Sequence, residues 1–312
     1  MQQIISGEKE ENGMKRFTKI SLIVCLIAIL MGTAACAVGA GLGFSLGQVR
    51  EWGFTRSTAE LEEERGGKNW IENNYEYKAD EVQSMDLELI CGELVIEEVT
   101  DSSDITVSID YRGVFKNLTR KITCSVEHNI LKVDDDAKKI WNNLKNAYVT
   151  IQIPKDKTFE KITIETGAGT LKLNTNLNAD NIRVDIGAGE LVSEDYQINA
   201  EEELNIYVGA GSVDLEDVKA KQLKVESGVG EAHMNRVLAD NIRIDCGMGD
   251  IKLGCIGVLE DFDYKIDYGI GSVSVGDSTY SGLGGSKVIQ NKSDKKIEIE
   301  CGVGSVDVDF TK

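Results

Sequence analysis

An all-β fold is expected here, a β-solenoid-like stack of coils of about 20 residues behind a single N-terminal transmembrane helix. Three observations carry that expectation. A glycine-x-glycine step recurs seven times between alternating apolar residues, the first six copies begin 19 to 22 residues apart, and one long uncharged apolar run precedes them all. A fixed period in this range marks a repeat architecture whose units bury their apolar faces only against each other.

Composition agrees. The 312 residues are 41% hydrophobic, enough for a sizeable core, with one proline (Pro154) against 32 glycines and 6% aromatics. Such a balance favours many short turning strands over helical bundles. The net charge of −19 excludes nucleic acid as a partner, because a binder must neutralise phosphates with clustered Lys and Arg. Seven cysteines are scattered without CxxC spacing, so neither a metal site nor a disulfide framework follows, and they read as small buried hydrophobes.

Residues 1–19 read as a short cytoplasmic N-terminus, and Met14-Lys15-Arg16-Phe17 as the true start of synthesis. Residues 20–46 are uncharged and apolar. At about 1.5 Å per helical residue they span the roughly 30 Å hydrocarbon core. Lys15, Arg16 and Lys19 precede this run, while Arg50 is followed by Glu51, Glu60 and Glu62–Glu64. The positive-inside rule then places everything beyond Arg50 outside the cell, as a single-pass cell-membrane protein. A cleaved signal peptide ending near Ala34–Ala35 and a lipoprotein acylated at Cys36 are the rivals. Gly39, Gly43 and Gly47 fall four apart. They form a face on which a second helix can pack, or else a glycine-rich helix end without a partner.

Residues 47–80 are acidic and polar with scattered aromatics, and read as a stalk or linker. Residues 81–161 form a divergent N-terminal set of β coils, a cap in which Met85–Glu97 is a degenerate repeat. Strands are expected at 105–109, 122–126, 130–133 and 148–153, with residues 134–146 as an intervening loop or single helical turn carrying Trp141 over the end of the stack.

Residues 162–312 are the regular repeats. The copies read ITIETGAGTLKL (162–173), IRVDIGAGELVS (182–193), LNIYVGAGSVDL (204–215), LKVESGVGEAHM (223–234), IRIDCGMGDIKL (242–253), YKIDYGIGSVSV (264–275) and IEIECGVGSVDV (297–308). Their structural glycines are Gly167 and Gly169, Gly187 and Gly189, Gly209 and Gly211, Gly228 and Gly230, Gly247 and Gly249, Gly269 and Gly271, and Gly302 and Gly304. In the second copy Ile182, Val184 and Ile186 alternate inward, but beyond Gly189-Glu190 the inward set resumes at Leu191, one residue out of phase. Such a slip calls for a bulge or arc, where glycine accepts unusual φ and close backbone approach. The middle residue is apolar in every copy (Ala168, Ala188, Ala210, Val229, Met248, Ile270, Val303) and is expected to point into the core. A phosphate-cradling reading fails, because β-residues rather than a helix follow the glycines.

Outward positions should form columns. One reads Glu165, Asp185, Tyr207, Glu226, Asp245, Asp267, Glu300; two residues earlier lie Thr163, Arg183, Asn205, Lys224, Arg243, Lys265, Glu298. Stacked like charges repel, and pairs such as Arg183–Asp185 and Arg243–Asp245 offset this. No catalytic, cofactor or metal site is expected: His128 and His233 are the only histidines, and no nucleophile motif accompanies either.

The segments YEYKADEVQSMDLELICGELVIEE (75–98) and YVTIQIPKDKTFEKITIETGAG (148–169), with the later GAG and GVG copies, resemble the bacterial "putative adhesin" β-strand-repeat family of uncharacterised membrane-anchored surface proteins. The resemblance covers roughly residues 14–310 and implies a right-handed, solenoid-like β fold at the cell surface with no known catalytic residues. The expected function is therefore non-enzymatic adhesion or binding to an envelope component, a polymer or a membrane protein, with self-association left open. A membrane-bound regulator or sensor of cell-envelope stress is the alternative.

Overall fold

The structure, a computed structural model, describes residues 70–99, 102–112, 114–115, 118–138 and 147–311. The expected transmembrane segment, its Gly39, Gly43 and Gly47 face, Cys36, the Met14 start and Trp141 all lie outside these residues. Among the described residues no helix is long and apolar enough to cross a membrane.

The described chain is all-β. In order it forms β1 (Trp70–Tyr77), β2 (Ser84–Glu98), β3 (Ile105–Arg112), β4 (Val114–Phe115), β5 (Leu118–Glu127), β6 (Ile130–Lys138), β7 (Ala147–Ile153), β8 (Thr158–Asn174), β9 (Leu177–Ile256), β10 (Phe262–Val275), β11 (Ser278–Ile289) and β12 (Lys295–Thr311), with two 3-10 turns at Ala79–Glu81 and Leu259–Asp261. The strands form one open sheet in the order β1-β3-β7-β2-β8-β9-β12-β10-β11, with β6 paired to β2 beside β5, and β4 on β5. β1 and β11 are therefore the two ends of this main path, and β4 ends the branch through β6 and β5.

The repeats stack in parallel. β2 pairs with β8 so that Gly92 meets Gly169, and β8 pairs with β9 so that Gly169 meets Gly189. Along the third copy the buried positions are Leu204, Ile206 and Val208, then Val213 and Leu215, then Val218 and Ala220, before Leu223 starts the next coil. Each coil thus has short inward runs separated by phase slips: one at the glycine step and further ones at polar corners with no glycine. Every buried Leu, Ile or Val contributes about 1.5–3 kcal/mol relative to an exposed one, and the core is continuous through all the copies.

Four expectations need correction. Trp70–Tyr77, read as the end of a linker, is a strand pairing antiparallel with β3 from Trp70↔Arg112 to Tyr77↔Ile105. Its hydrophobic cue was hidden because Tyr75 and Tyr77 pack only partly against the core while Glu72 and Asn74 alternate outward. Residues 134–138, read as loop, continue β6 opposite β5, since Asp135 turns inward to an arginine partner described below.

The middle residues of the glycine steps do not enter the core. Between buried Ile186 and buried Leu191 the chain rounds a corner, so Ala188 lies on its convex side. Val229, Met248 and Ile270 are 52%, 44% and 58% exposed. Finally, the copies do not stack in chain order. β12 lies between β9 and β10, pairing in parallel with both: Cys301 meets Cys246 on one side and Tyr268 on the other. The return loop explains the insertion. The Asn291 and Ser293 backbone N–H groups both donate to Asp263 (2.7 and 3.3 Å), and the Asn291 amide donates to the Phe262 carbonyl (2.8 Å). These bonds hold the loop against the start of β10, so the chain after it runs alongside that strand.

Candidate binding face

The glycine steps build one corner of every coil. An added Cβ at Gly187 would lie 2.5 Å from the Gly167 carbonyl oxygen, and one at Gly189 would lie 1.8 Å from that of Gly169. Gly189 also has φ +157°. The first glycine is thus required by close approach, and the second by close approach and backbone conformation together. The same contacts recur from Gly167 through Gly304, so all fourteen repeat glycines stand in two columns, with Gly302 over Gly247 and Gly269 over Gly302.

The middle residues form a ridge along this corner. In spatial order it runs Ala168, Ala188, Ala210, Val229, Met248, Val303, Ile270 and then Leu283 of β11. Alanines occupy the β8 side and larger apolar residues the β11 side.

Beside the ridge lie the charged columns, and the ion pairs expected from the sequence are present. Arg183 grips Asp185 with two hydrogen bonds (2.8 and 3.2 Å), and Arg243 grips Asp245 likewise (2.9 and 3.1 Å). Arg243 also reaches Glu298 and Glu300 on the inserted β12, at 3.4 and 3.3 Å. Lys224 pairs with Glu226, and Lys265 with Asp267. The hydrogen bonds to these carboxylates raise the pKa values of Arg183, Lys224 and Arg243. Being exposed, each pair is worth no more than about 1 kcal/mol. Their effect is to let acids stack in layers about 4.8 Å apart.

Tyr207 breaks the acidic column. The Arg183 guanidinium lies 4.3 Å from its ring centroid and Lys224 Nζ 5.3 Å, a cation–π arrangement worth about 0.5–1 kcal/mol at an exposed site. A shallow groove of about 320 Å³ opens here, lined by Asp185, Gly187, Tyr207, Gly209, Glu226 and Gly228 among others. It offers part of an aromatic ring, two carboxylates and exposed glycine backbone. Nothing in the sequence distinguished this layer except one Tyr in a column of acids.

The histidines do not converge. His128 sits at the β5–β6 turn with φ +52°, and His233 lies half-buried on an outward position of β9. Among the described residues no group of three His, Cys, Asp or Glu side chains could hold a metal. Cys124, Cys246, Cys255 and Cys301 are buried, as expected of cysteines acting as small hydrophobes, and Cys91 is half-buried.

Sequence reasoning missed the buried pair Arg120–Asp135. Arg120 Nε donates to Asp135 Oδ1 (2.8 Å), Asp135 Oδ2 accepts from the Ile90 N–H (2.8 Å), and Arg120 donates to the Cys91 carbonyl (2.7 Å). An Arg on one strand and an Asp in an acidic run carry no periodic signal to betray such a pair.

No curated protein matches the chain. Several solved structures resemble it. A "putative adhesin" from Bacteroides fragilis is 16% identical over 78% of this chain and 98% of its own, with a TM-score of 0.39. A "putative cell adhesion protein" from Clostridium sporogenes is 17% identical over 78% and 100%, at 0.36. A "putative lipid binding protein" from Parabacteroides distasonis is 14% identical over 79% and 98%, at 0.41. At such scores these likenesses carry no function across. The family described as Toastrack DUF4097, by contrast, matches residues 83–280, the span that holds the degenerate repeat and the first six glycine steps, and the chain belongs to that family.

Proposed function

We propose that this chain is a non-enzymatic surface-binding protein. Residues 20–46 anchor it in the cell membrane with the N-terminus in the cytoplasm, and the solenoid-like stack from residue 81 onward faces outward to bind an envelope component. One observation carries the reading: the outward columns repeat layer by layer, with Arg183–Asp185 and Arg243–Asp245 paired in place rather than gathered in a cleft. A regular array of paired charges beside an aromatic groove suits a repeating polymer, whose units meet successive layers. General acid–base chemistry instead needs converging groups with displaced pKa values.

Capture tests the reading. Full-length protein in detergent should retain purified cell-wall polymer, and Tyr207→Ala should weaken retention. Recovery of one defined membrane protein, with no polymer, would favour the regulator alternative. Protease added to intact cells stripped of wall should trim the chain to its anchor, and protection of the region beyond residue 50 would overturn the orientation.

A further inference from the structure

β11 ends the sheet, pairing with β10 on one side and with no strand of the described residues on the other. An unpaired strand edge is a template for another strand, and proteins ordinarily guard it with charge, proline or brevity. β1, the opposite end, carries Glu72 and Glu76. β11 runs twelve residues, STYSGLGGSKVI, with Lys287 its sole charge and no proline. Leu283 is 90% exposed and Val288 58%.

The residues at its centre identify the partner. Gly282-Leu283-Gly284 is itself a glycine-x-glycine step, lying against Gly271, Ile270 and Gly269 of β10. Gly282 has φ +149°, within the range of the second glycines of the stack. A Cβ added at any stacked glycine of the regular copies would strike a neighbouring carbonyl, but at Gly282 it would meet nothing within 4 Å. The edge thus presents the glycine corner of a layer with no further layer upon it. A strand that fits must carry the same corner, be free at its own edge and lack acidic charge opposite Lys287.

We propose that β11 pairs antiparallel with β11 of a second copy of this chain, about a two-fold axis through Leu283. Antiparallel self-pairing is isologous, so each copy supplies the same edge and the assembly closes as a dimer. In this register Leu283 meets Leu283, Gly282 meets Gly284, and Lys287 meets Thr279, so no like charges face each other. The apolar ridge of one copy continues into that of the other. Since β1 and β11 are opposite ends of the sheet order, the contact is end to end and leaves the charged columns free.

The test uses full-length protein in detergent. Leu283→Cys under mild oxidation should give a covalent dimer that the native cysteines of the wild type do not. Thr279→Cys alone should not cross-link, whereas a mixture of Thr279→Cys and Lys287→Cys chains should. By sedimentation, Leu283→Lys should raise the dimer dissociation constant at least about tenfold, and at concentrations low enough for the wild type to be monomeric the two should melt at the same temperature, because Leu283 is exposed. Wild type that stays monomeric at every concentration, or a dimer unaffected by Leu283→Lys, would overturn the proposal. Polymer capture by Leu283→Lys reports separately on the surface-binding reading.

Discussion

β2 and β8 carry the same corner of the fold and secure it by different means. In β8 the step is Gly167-Ala168-Gly169, and β9 lays its own glycine backbone against it. In β2 the equivalent residues are Ile90-Cys91-Gly92. On its other side β2 meets β6 only as far as Leu87↔Val133, and β7 only from Gly92↔Ala147. Over the gap between those strands no strand of the described residues pairs with β2. The Arg120–Asp135 pair fills that gap, accepting from the Ile90 N–H and donating to the Cys91 carbonyl. Buried backbone polar groups must be satisfied by something. In the regular stack another backbone does it and forces glycine; at the cap side chains do it and an isoleucine is tolerated.

The layers themselves offer the severest contrast. Ending the chain after Ile289 deletes β12, which is last in sequence but interior in space, so β9 and β10 would both face a missing layer. Deleting residues 187–208, one whole period within β9, joins Ile186 to Gly209 in phase. The first variant should lose its cooperative melt, and the second should keep one with modestly lower stability. Equal melts, measured by circular dichroism in denaturant, would mean that stacking order has no energetic meaning.

Next in size is the substituted layer. Asp135→Ala leaves the Arg120 charge buried and the Ile90 N–H unsatisfied, and should cost about 3–5 kcal/mol. Joint replacement by Arg120→Leu and Asp135→Leu should cost less than the two single changes added together. Strict additivity in a double-mutant cycle would remove the claim that the pair acts as a unit.

Within the regular stack, Gly189→Ala should destabilise by on the order of 3 kcal/mol, since backbone clash and positive φ act together. Gly187→Ala faces only the looser approach and should cost less. Glu190→Gln, exposed beside them, should stay within about 0.5 kcal/mol. A reversed order of the two glycine variants would separate the clash from the conformation.

The smallest effect concerns protons. Burial pushes the Cys124 thiol up to about 11, against a lowering hydrogen bond from Tyr77, and burial alone pushes Cys255 up to about 12. A thiol whose folded pKa is raised contributes its full stability below the unfolded value, near 8.5. That contribution declines as pH rises through the interval up to the folded value, because the unfolded chain releases the proton first. Stability should therefore be flat from these groups through neutral pH and fall above about pH 9. Neither cysteine should be alkylated in the native protein at pH 8, and rapid labelling of Cys255 would show that the layer around it opens.

Much of this was legible in the residues. The alternation through Ile182, Val184 and Ile186 and its resumption at Leu191 require a coil with a slip at the glycine step, and Arg183 two residues before Asp185 requires an outward pair. The same periodicity could not say which side of the corner Ala188 and Ile270 occupy, since apolar side chains there are compatible with core or surface. Nor did it expose the Tyr207 layer, whose character lies in Arg183 and Lys224 closing on one ring from neighbouring coils.

Local pattern was thus sufficient for the fold class, the repeat length, the alternating inward residues on either side of each glycine step and the need for glycine at the corners, because strand alternation and backbone clearance act over a few residues. The order of layers required the folded chain: the seventh copy looks like its predecessors, and the Asn291–Asp263 contacts that slide it between β9 and β10 join residues 28 apart. The Arg120–Asp135 pair, set where no described strand covers β2, and the unstacked corner at Leu283 have the same origin. Each depends on which of the described strands lie alongside, and that is a property of three-dimensional packing rather than of any stretch of sequence.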